Sequence, residues 1–136
     1  MIHAGVSELE QAFQSHLAAV RETNGTASYL LLFYATECGL KRIWLRRKEL
    51  QTTDQIQDQK LKNGHKLDRW IKELGIPASE VEAAPRFSLE RDGSNLDIGK
   101  AHEVWRYGIE VKSEHEENLV NWLESVCDWI NREIQQ

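Results

Sequence analysis

Cysteine is scarce in this 136-residue chain, with only Cys38 and Cys127, and the two lie far apart. That excludes the disulfide framework on which small secreted domains depend and the paired-cysteine spacing of a zinc ribbon. Each thiol falls inside an apolar helical pattern, so both are expected as reduced core residues. Proline is equally rare, with Pro77 and Pro85 alone, which leaves long stretches free to be helical. No apolar run is long enough for a membrane span: the one beginning at Tyr29 is broken by Glu37, Lys41 and Arg42, well short of the roughly 20 residues required. Met1 to Glu8 lacks a basic segment followed by an apolar core, so no secretory signal is expected and the cytoplasm is the expected compartment. Nor is there an excess of positive charge. Seventeen Lys and Arg against 22 Asp and Glu give a formal charge of −5, which argues against a surface that is wholly a nucleic-acid footprint and leaves room for a local basic patch. There is no repeat, no glycine-rich phosphate loop, no His-Glu-x-x-His helix and no informative Ser, His and Asp spacing. No cofactor and no metal-ligand set are expected.

What is present is a chain of ordinary domain size with a 40 % hydrophobic fraction and five tryptophans, enough for one core and hence for one domain spanning residues 1–136. Ser7 and Glu10 read as a capping box opening a first helix, whose stripe is Leu9, Ala12, Phe13, Leu17 and Val20, with Asn24-Gly25 as its end. A long second helix follows from about Thr26 to Leu50. It is apolar nearly all round between Tyr29 and Ala35, the pattern of a helix packed on several sides. The segment from Gln51 to Asn63 is polar and reads as a surface connection. A third helix from about His65 carries Leu67, Trp70, Ile71 and Leu74 and stops at Gly75 and Pro77. Between Pro77 and Pro85 the chain can hold at most a short helix capped by Ser79. Asp92-Gly93, between Phe87-x-Leu89 and Leu96-x-Ile98, fits a small hairpin or irregular insertion around residues 84–97. A fourth helix is expected from Ile98 to Tyr107 with Gly108 as its stop, and a fifth from a second capping box, Ser113 with Glu116, nearly to the end. The sum is an all-α, up-and-down bundle of four to five helices.

Three clusters hold the residue types from which chemistry is built. Glu37-Cys-Gly-Leu-Lys41 lies inside the central helix, where an acid four residues before a base stabilises the helix by a few tenths of a kcal/mol. Gly-His65-Lys-Leu stands at a helix start. His102-Glu103-Val-Trp105-Arg106-Tyr107-Gly stands at a helix end. A basic group, Arg42, Arg46 and Arg47, ends the central helix, where it complements the helix dipole and is also a candidate surface for RNA or a partner, together with His65 and Arg69.

In this order the three clusters resemble the HEPN superfamily, small helical domains of prokaryotic toxin–antitoxin and phage-defence systems; the likeness covers Tyr29 to Tyr107, with Glu37, Lys41 and Trp105 as landmarks. The resemblance implies an up-and-down bundle, dimerisation or docking to a partner chain and, in active members, metal-independent cleavage of RNA. Active members carry Arg, four to six residues, then His. That motif is missing: Arg91 precedes His102 by eleven positions and Arg106 precedes His115 by nine. The first expectation is therefore a degenerate, non-catalytic HEPN-like protein acting as a homodimer or with a partner from the same operon. The second is a ribonuclease in which His102 and Arg106, one turn apart on a helical face, supply acid–base chemistry and a cation, with Glu103 or Tyr107 positioning them.

Overall fold

The computed structural model describes residues 2–136. Five helices carry most of this span: α1 (Val6–Val20), α2 (Gly25–Arg47), α3 (Leu67–Glu73), α4 (Ala101–Arg106) and α5 (Ser113–Ile134). Two strands, β1 (Phe87–Ser88) and β2 (Asn95–Leu96), form an antiparallel hairpin in which Phe87 pairs with Leu96. The architecture is all-α with this one small sheet, and the expected hairpin falls where Asp92-Gly93 reverses the chain. Val111 bridges to Leu89 beside it.

The centre of the molecule is α2. Its apolar girdle exists because it is packed from several directions: α1 and α5 lie against it along much of its length, and α4 and α3 close the remaining side. Gly39 makes the tightest of these contacts possible, since a Cβ there would stand 2.8 Å from two carbons of Ile130 and 3.0 Å from Phe13. Phe13, Phe33, Leu40, Leu123 and Ile130 fill the core, and all are fully buried.

All five tryptophans are buried, and four of their indole N–H groups have partners. Trp122 donates to the Glu82 carbonyl and Trp129 to the Glu80 carboxylate, which fastens the segment between the prolines onto α5. Trp70 lies edge-on to Trp44. Cys127 is buried against the Thr36 hydroxyl and Cys38 is half-buried; both are free thiols.

Several boundaries differ from the sequence reading, each for a tertiary reason. α1 starts at Val6, with Gly5 as N-cap and Glu8 accepting from its N–H, because Gly5 is held extended by a bridge to Thr52. Ser7 and Glu10 are therefore not a capping box, and Glu10 pairs with Arg42 instead. Gly25 does take the left-handed conformation, but at the opening of α2 rather than the end of α1. α2 ends at Arg47, where Glu49 adopts φ 56° and the Leu50 N–H returns to the Leu45 carbonyl, closing the helix as a Schellman-type turn. Ser113 is the first residue of α5 rather than its cap, and Glu116 accepts from the Trp105 indole. The stretch after Pro77 is a turn, not a helix, and the fourth helix is divided into a 3-10 turn (Ile98–Lys100) and α4. Finally, α3 begins at Leu67, so His65 precedes it.

Candidate functional site

The three sequence clusters meet at one place. α2 contributes Phe33, Glu37 and Lys41, spaced by four and so on one face of the helix. The turn before α3 contributes His65. The first turn of α4 contributes His102.

Glu37 is buried at 9 % exposure, and a buried carboxylate must be paired. One oxygen takes the Lys41 ammonium at 3.1 Å and the other meets His65 Nδ1 at 2.7 Å. The turn carrying His65 is fixed independently: Asn63 accepts from the His65 N–H, and the Trp70 indole donates to the Gly64 carbonyl. Gly64 lets this turn approach, because a Cβ there would lie 2.9 Å from the end of Lys41. Gly99 does the same from the other side, where Lys66 and the His65 carbonyl pack on it.

The imidazole of His65 stacks on that of His102, centroids 4.0 Å apart and planes 28° from parallel. Phe33 lies under His102 at 5.2 Å. The two histidines differ sharply in surroundings. The His65 side chain is 41 % exposed, whereas His102 is 4 % exposed and its Nδ1 has no hydrogen-bond partner. Burial, and then the neighbouring His65, hold the His102 imidazole below the usual histidine range. Parallel rings do not aim their nitrogens at a common point, and among the described residues no group of three or more His, Cys, Asp and Glu is arranged to hold a metal ion.

One turn beyond His102, the exposed Arg106 donates to the Tyr34 hydroxyl at 3.0 Å. Two cations thus stand near the imidazole pair, Lys41 bound to Glu37 and Arg106 toward solvent. A shallow cavity lined by His3, Lys41, Thr53, Ile56, Gly64 and Trp70 adjoins the Lys41 side.

The other residues singled out in the sequence are distributed differently. Glu103 is exposed, with its carboxylate 3.8 Å from Lys100. Tyr107 lies beyond the end of α4 and is 70 % exposed. Trp105 is a core residue packed against Tyr29. Arg42 is tied to Glu10 on α1, and Arg47 donates to the Leu74 carbonyl, pairs with Glu133 and covers Trp129. Arg46 and Arg69 are exposed. His65 and Arg69 do not share a helical face, because His65 precedes α3. His65 lies at the Glu37 cluster, whereas Arg47 stands ten residues beyond Glu37 on α2, about 15 Å along the axis.

Tyr34 and Phe33 had no place in the sequence reading of the site. For Phe33 the signal was the four-residue spacing to Glu37 and Lys41, hidden inside a run that reads simply as core, whereas Tyr34 enters only through its bond to Arg106, 72 positions away. His115, the other histidine near α4, accepts from the Ser88 N–H and is engaged in anchoring the hairpin.

Among the described residues, no helix is long and apolar enough to cross a membrane. No family model, curated protein or solved structure matches the chain.

Proposed function

We propose that this chain is a HEPN-like helical domain that acts on RNA at the Glu37–His65–His102 cluster and cleaves it without a metal ion, as part of a prokaryotic defence or toxin–antitoxin system. The observation that carries this reading is the convergence of the three clusters: residues 28 and 37 positions apart in sequence assemble two stacked imidazoles on a buried carboxylate. Cleavage of this kind needs a base for the 2′-hydroxyl proton, a proton for the leaving oxygen and cations for the phosphorane. The 2′-oxygen bonds to phosphorus, the bond from phosphorus to the 5′-oxygen breaks, and a 2′,3′-cyclic phosphate and a 5′-hydroxyl result. His65 answers the proton transfers, taking the 2′-hydroxyl proton and returning it to the leaving 5′-oxygen, His102 donates a hydrogen bond to the phosphate, and Arg106 and Lys41 answer the charge.

Incubation with tRNA and with total RNA tests the reading. Wild type is expected to yield cyclic-phosphate ends in the presence of EDTA. His65→Gln and Arg106→Met are expected to lose about 10²–10⁴ of the rate, with Arg86→Met as an unaffected control. Intact RNA under all conditions, or equal cleavage by all variants, would remove the cluster from the chemistry.

A second reading has its own support: with the Arg-to-His spacing absent, the protein works by pairing with itself or with a partner from its operon. The ring of Tyr107, exposed beside Arg106, is a large apolar group of the kind that anchors interfaces. Light scattering across a concentration series is then expected to show a dimer that Tyr107→Ser weakens; a monomer that also binds no operon partner excludes it.

A further inference from the structure

We propose that the two stacked imidazoles have opposite tautomers and divided roles, with His65 offering a bare Nε2 as the base and His102 offering an Nε2–H as a neutral hydrogen-bond donor, toward a ligand that combines a hydroxyl with a phosphodiester oxygen. This rests on the reading of the cluster as an RNA site.

The assignment for His65 follows from Glu37. An ionised carboxylate only accepts, and with the Lys41 ammonium on Oε2 the group at Oε1 must be a donor. His65 Nδ1 therefore carries the proton, and in the neutral ring Nε2 is left with its lone pair. His65 Nε2 has no hydrogen-bond partner among the described residues, and the side chain is 41 % exposed. A carboxylate on the far nitrogen fixes both the tautomer and the ring orientation, which is what a base in a defined position requires.

The assignment for His102 follows from its orphan. Its Nδ1 is sealed from solvent with no acceptor in reach, while its Nε2, also without a protein partner, is not among the sealed atoms. A buried N–H without an acceptor is the costlier and rarer defect than a buried lone pair. The proton accordingly sits on Nε2, at the end of the ring that keeps solvent contact. Charging His102 would force an N–H onto the sealed nitrogen, so this ring stays neutral and donates. The groups facing the pair are Glu37 and Lys41 from α2 and Glu103 and Arg106 from α4. None of them bonds His102. The two stacked rings thus present one acceptor and one donor side by side, which suits a 2′-hydroxyl next to a phosphate oxygen. Glu37 is then a positioning residue, acting through His65.

Long-range proton–nitrogen NMR of the 15N-labelled protein at pH 8 reads tautomers directly, whether or not RNA is cleaved. The expected result is an Nδ1–H signature for His65 and an Nε2–H signature for His102. Glu37→Gln, whose amide no longer demands a donor at Oε1, is expected to mix the tautomers of His65 and leave His102 unchanged. Equal tautomers in the wild type overturn the proposal without touching the RNA reading. Titration with inorganic phosphate, and with a short oligoribonucleotide carrying a single 2′-deoxy position, is expected to shift the Nε2 signals of both rings. Unmoved signals with both probes overturn the assigned ligand class. In the cleavage assay His102→Gln retains an N–H at the Nε2 position and is expected to stay within about tenfold of wild type, while His65→Gln falls about 10²-fold or more. The reverse ranking reverses the roles and refutes the assignment.

Discussion

Replacing Gly39 by alanine sets two opposing effects against each other at the most crowded point of the core. In the middle of a helix the change from Gly to Ala is worth about 1 kcal/mol in favour of folding. At this position the new Cβ would stand 2.8 Å from both Cδ1 and Cγ2 of Ile130 and 3.0 Å from Cδ1 of Phe13. Carbon atoms rest about 3.5–4.0 Å apart, so α5 or α1 must retreat by roughly 0.7–1 Å. Neither neighbour can swing aside into solvent, because both are fully buried, and Ile130 is stiff at χ1. Overpacking of this kind costs about 1–3 kcal/mol. The expected net effect of Gly39→Ala is a loss of about 1 kcal/mol, which for a domain of this size lowers Tm by about 3–5 °C. Thermal unfolding followed by circular dichroism measures it, and Ile130→Ala provides the internal check. Alone, that variant loses about 2–5 kcal/mol through the cavity it leaves. In its background the alanine at 39 loses both Ile130 contacts and keeps only Phe13 Cδ1 at 3.0 Å, so Gly39→Ala is expected to turn close to neutral, with a coupling of about 1 kcal/mol. A rise in Tm for Gly39→Ala alone, or the same effect in both backgrounds, would refute the packing argument.

Other perturbations have equally definite outcomes. Burial holds His102 below its ordinary value of 6.5, so the unfolded chain binds the proton more readily; stability from this residue is full above that pH and declines as pH falls through it. Urea titrations from pH 7.5 to 5 should therefore show a steeper loss for wild type than for His102→Phe. Desolvation pushes the Cys127 thiol up to about 12, so Ellman's reagent should leave it untouched until the protein unfolds. The half-buried Cys38, raised by desolvation and then by Glu37, should react first and slowly. Glu49 occupies the left-handed region that glycine favours, and Glu49→Gly should stabilise by about 0.5–1 kcal/mol in chemical denaturation. Trp122→Phe removes the bond to the Glu82 carbonyl, and hydrogen exchange should show residues 77–85 opening more readily at a cost of about 1 kcal/mol.

The helices were legible because their stripes obey the 3.6-residue period over many residues; α5, with Leu119, Leu123, Val126 and Ile130 buried, is the clearest case. Their starts were less so. Ser7 and Ser113 have the right residue three positions on, yet at both sites the acid was claimed elsewhere, Glu10 by Arg42 and Glu116 by Trp105. A capping box competes with tertiary partners that local spacing does not contain. The site followed the same pattern. Glu37, Lys41, His65, His102 and Arg106 each stood out by residue type, but the pairing of Glu37 with His65 spans 28 residues and that of Tyr34 with Arg106 spans 72. Local periodicity carries no information at that range. Nor does it carry access: His102 lies four positions before the exposed Arg106 on a short helix, yet the stack with His65 and the bed of Phe33 bury it.

Glu37 places an acid in a helix that is otherwise core, and the consequence separates folding from function. Removing one partner of a buried ion pair leaves a charge uncompensated, while replacing the whole group by apolar side chains of similar volume is often neutral or stabilising. His65→Leu alone should destabilise by no more than the roughly 1.5–3 kcal/mol of a hydrogen bond to a charged group, since Lys41 still pairs with the Glu37 carboxylate and the His65 ring is 41 % exposed. The triple replacement Glu37→Leu, Lys41→Met and His65→Leu removes both bonds to the carboxylate together with the carboxylate. If the cluster exists for chemistry, this variant should keep the wild-type Tm or exceed it while losing RNA cleavage and at least tenfold in RNA affinity, as expected where a polar site is kept at the expense of stability. Thermal unfolding and fluorescence anisotropy on one preparation give both quantities. A triple variant that unfolds far below wild type would make the network a fastening of the Gly64–His65 turn onto α2, and one that binds RNA unchanged would place the RNA surface elsewhere.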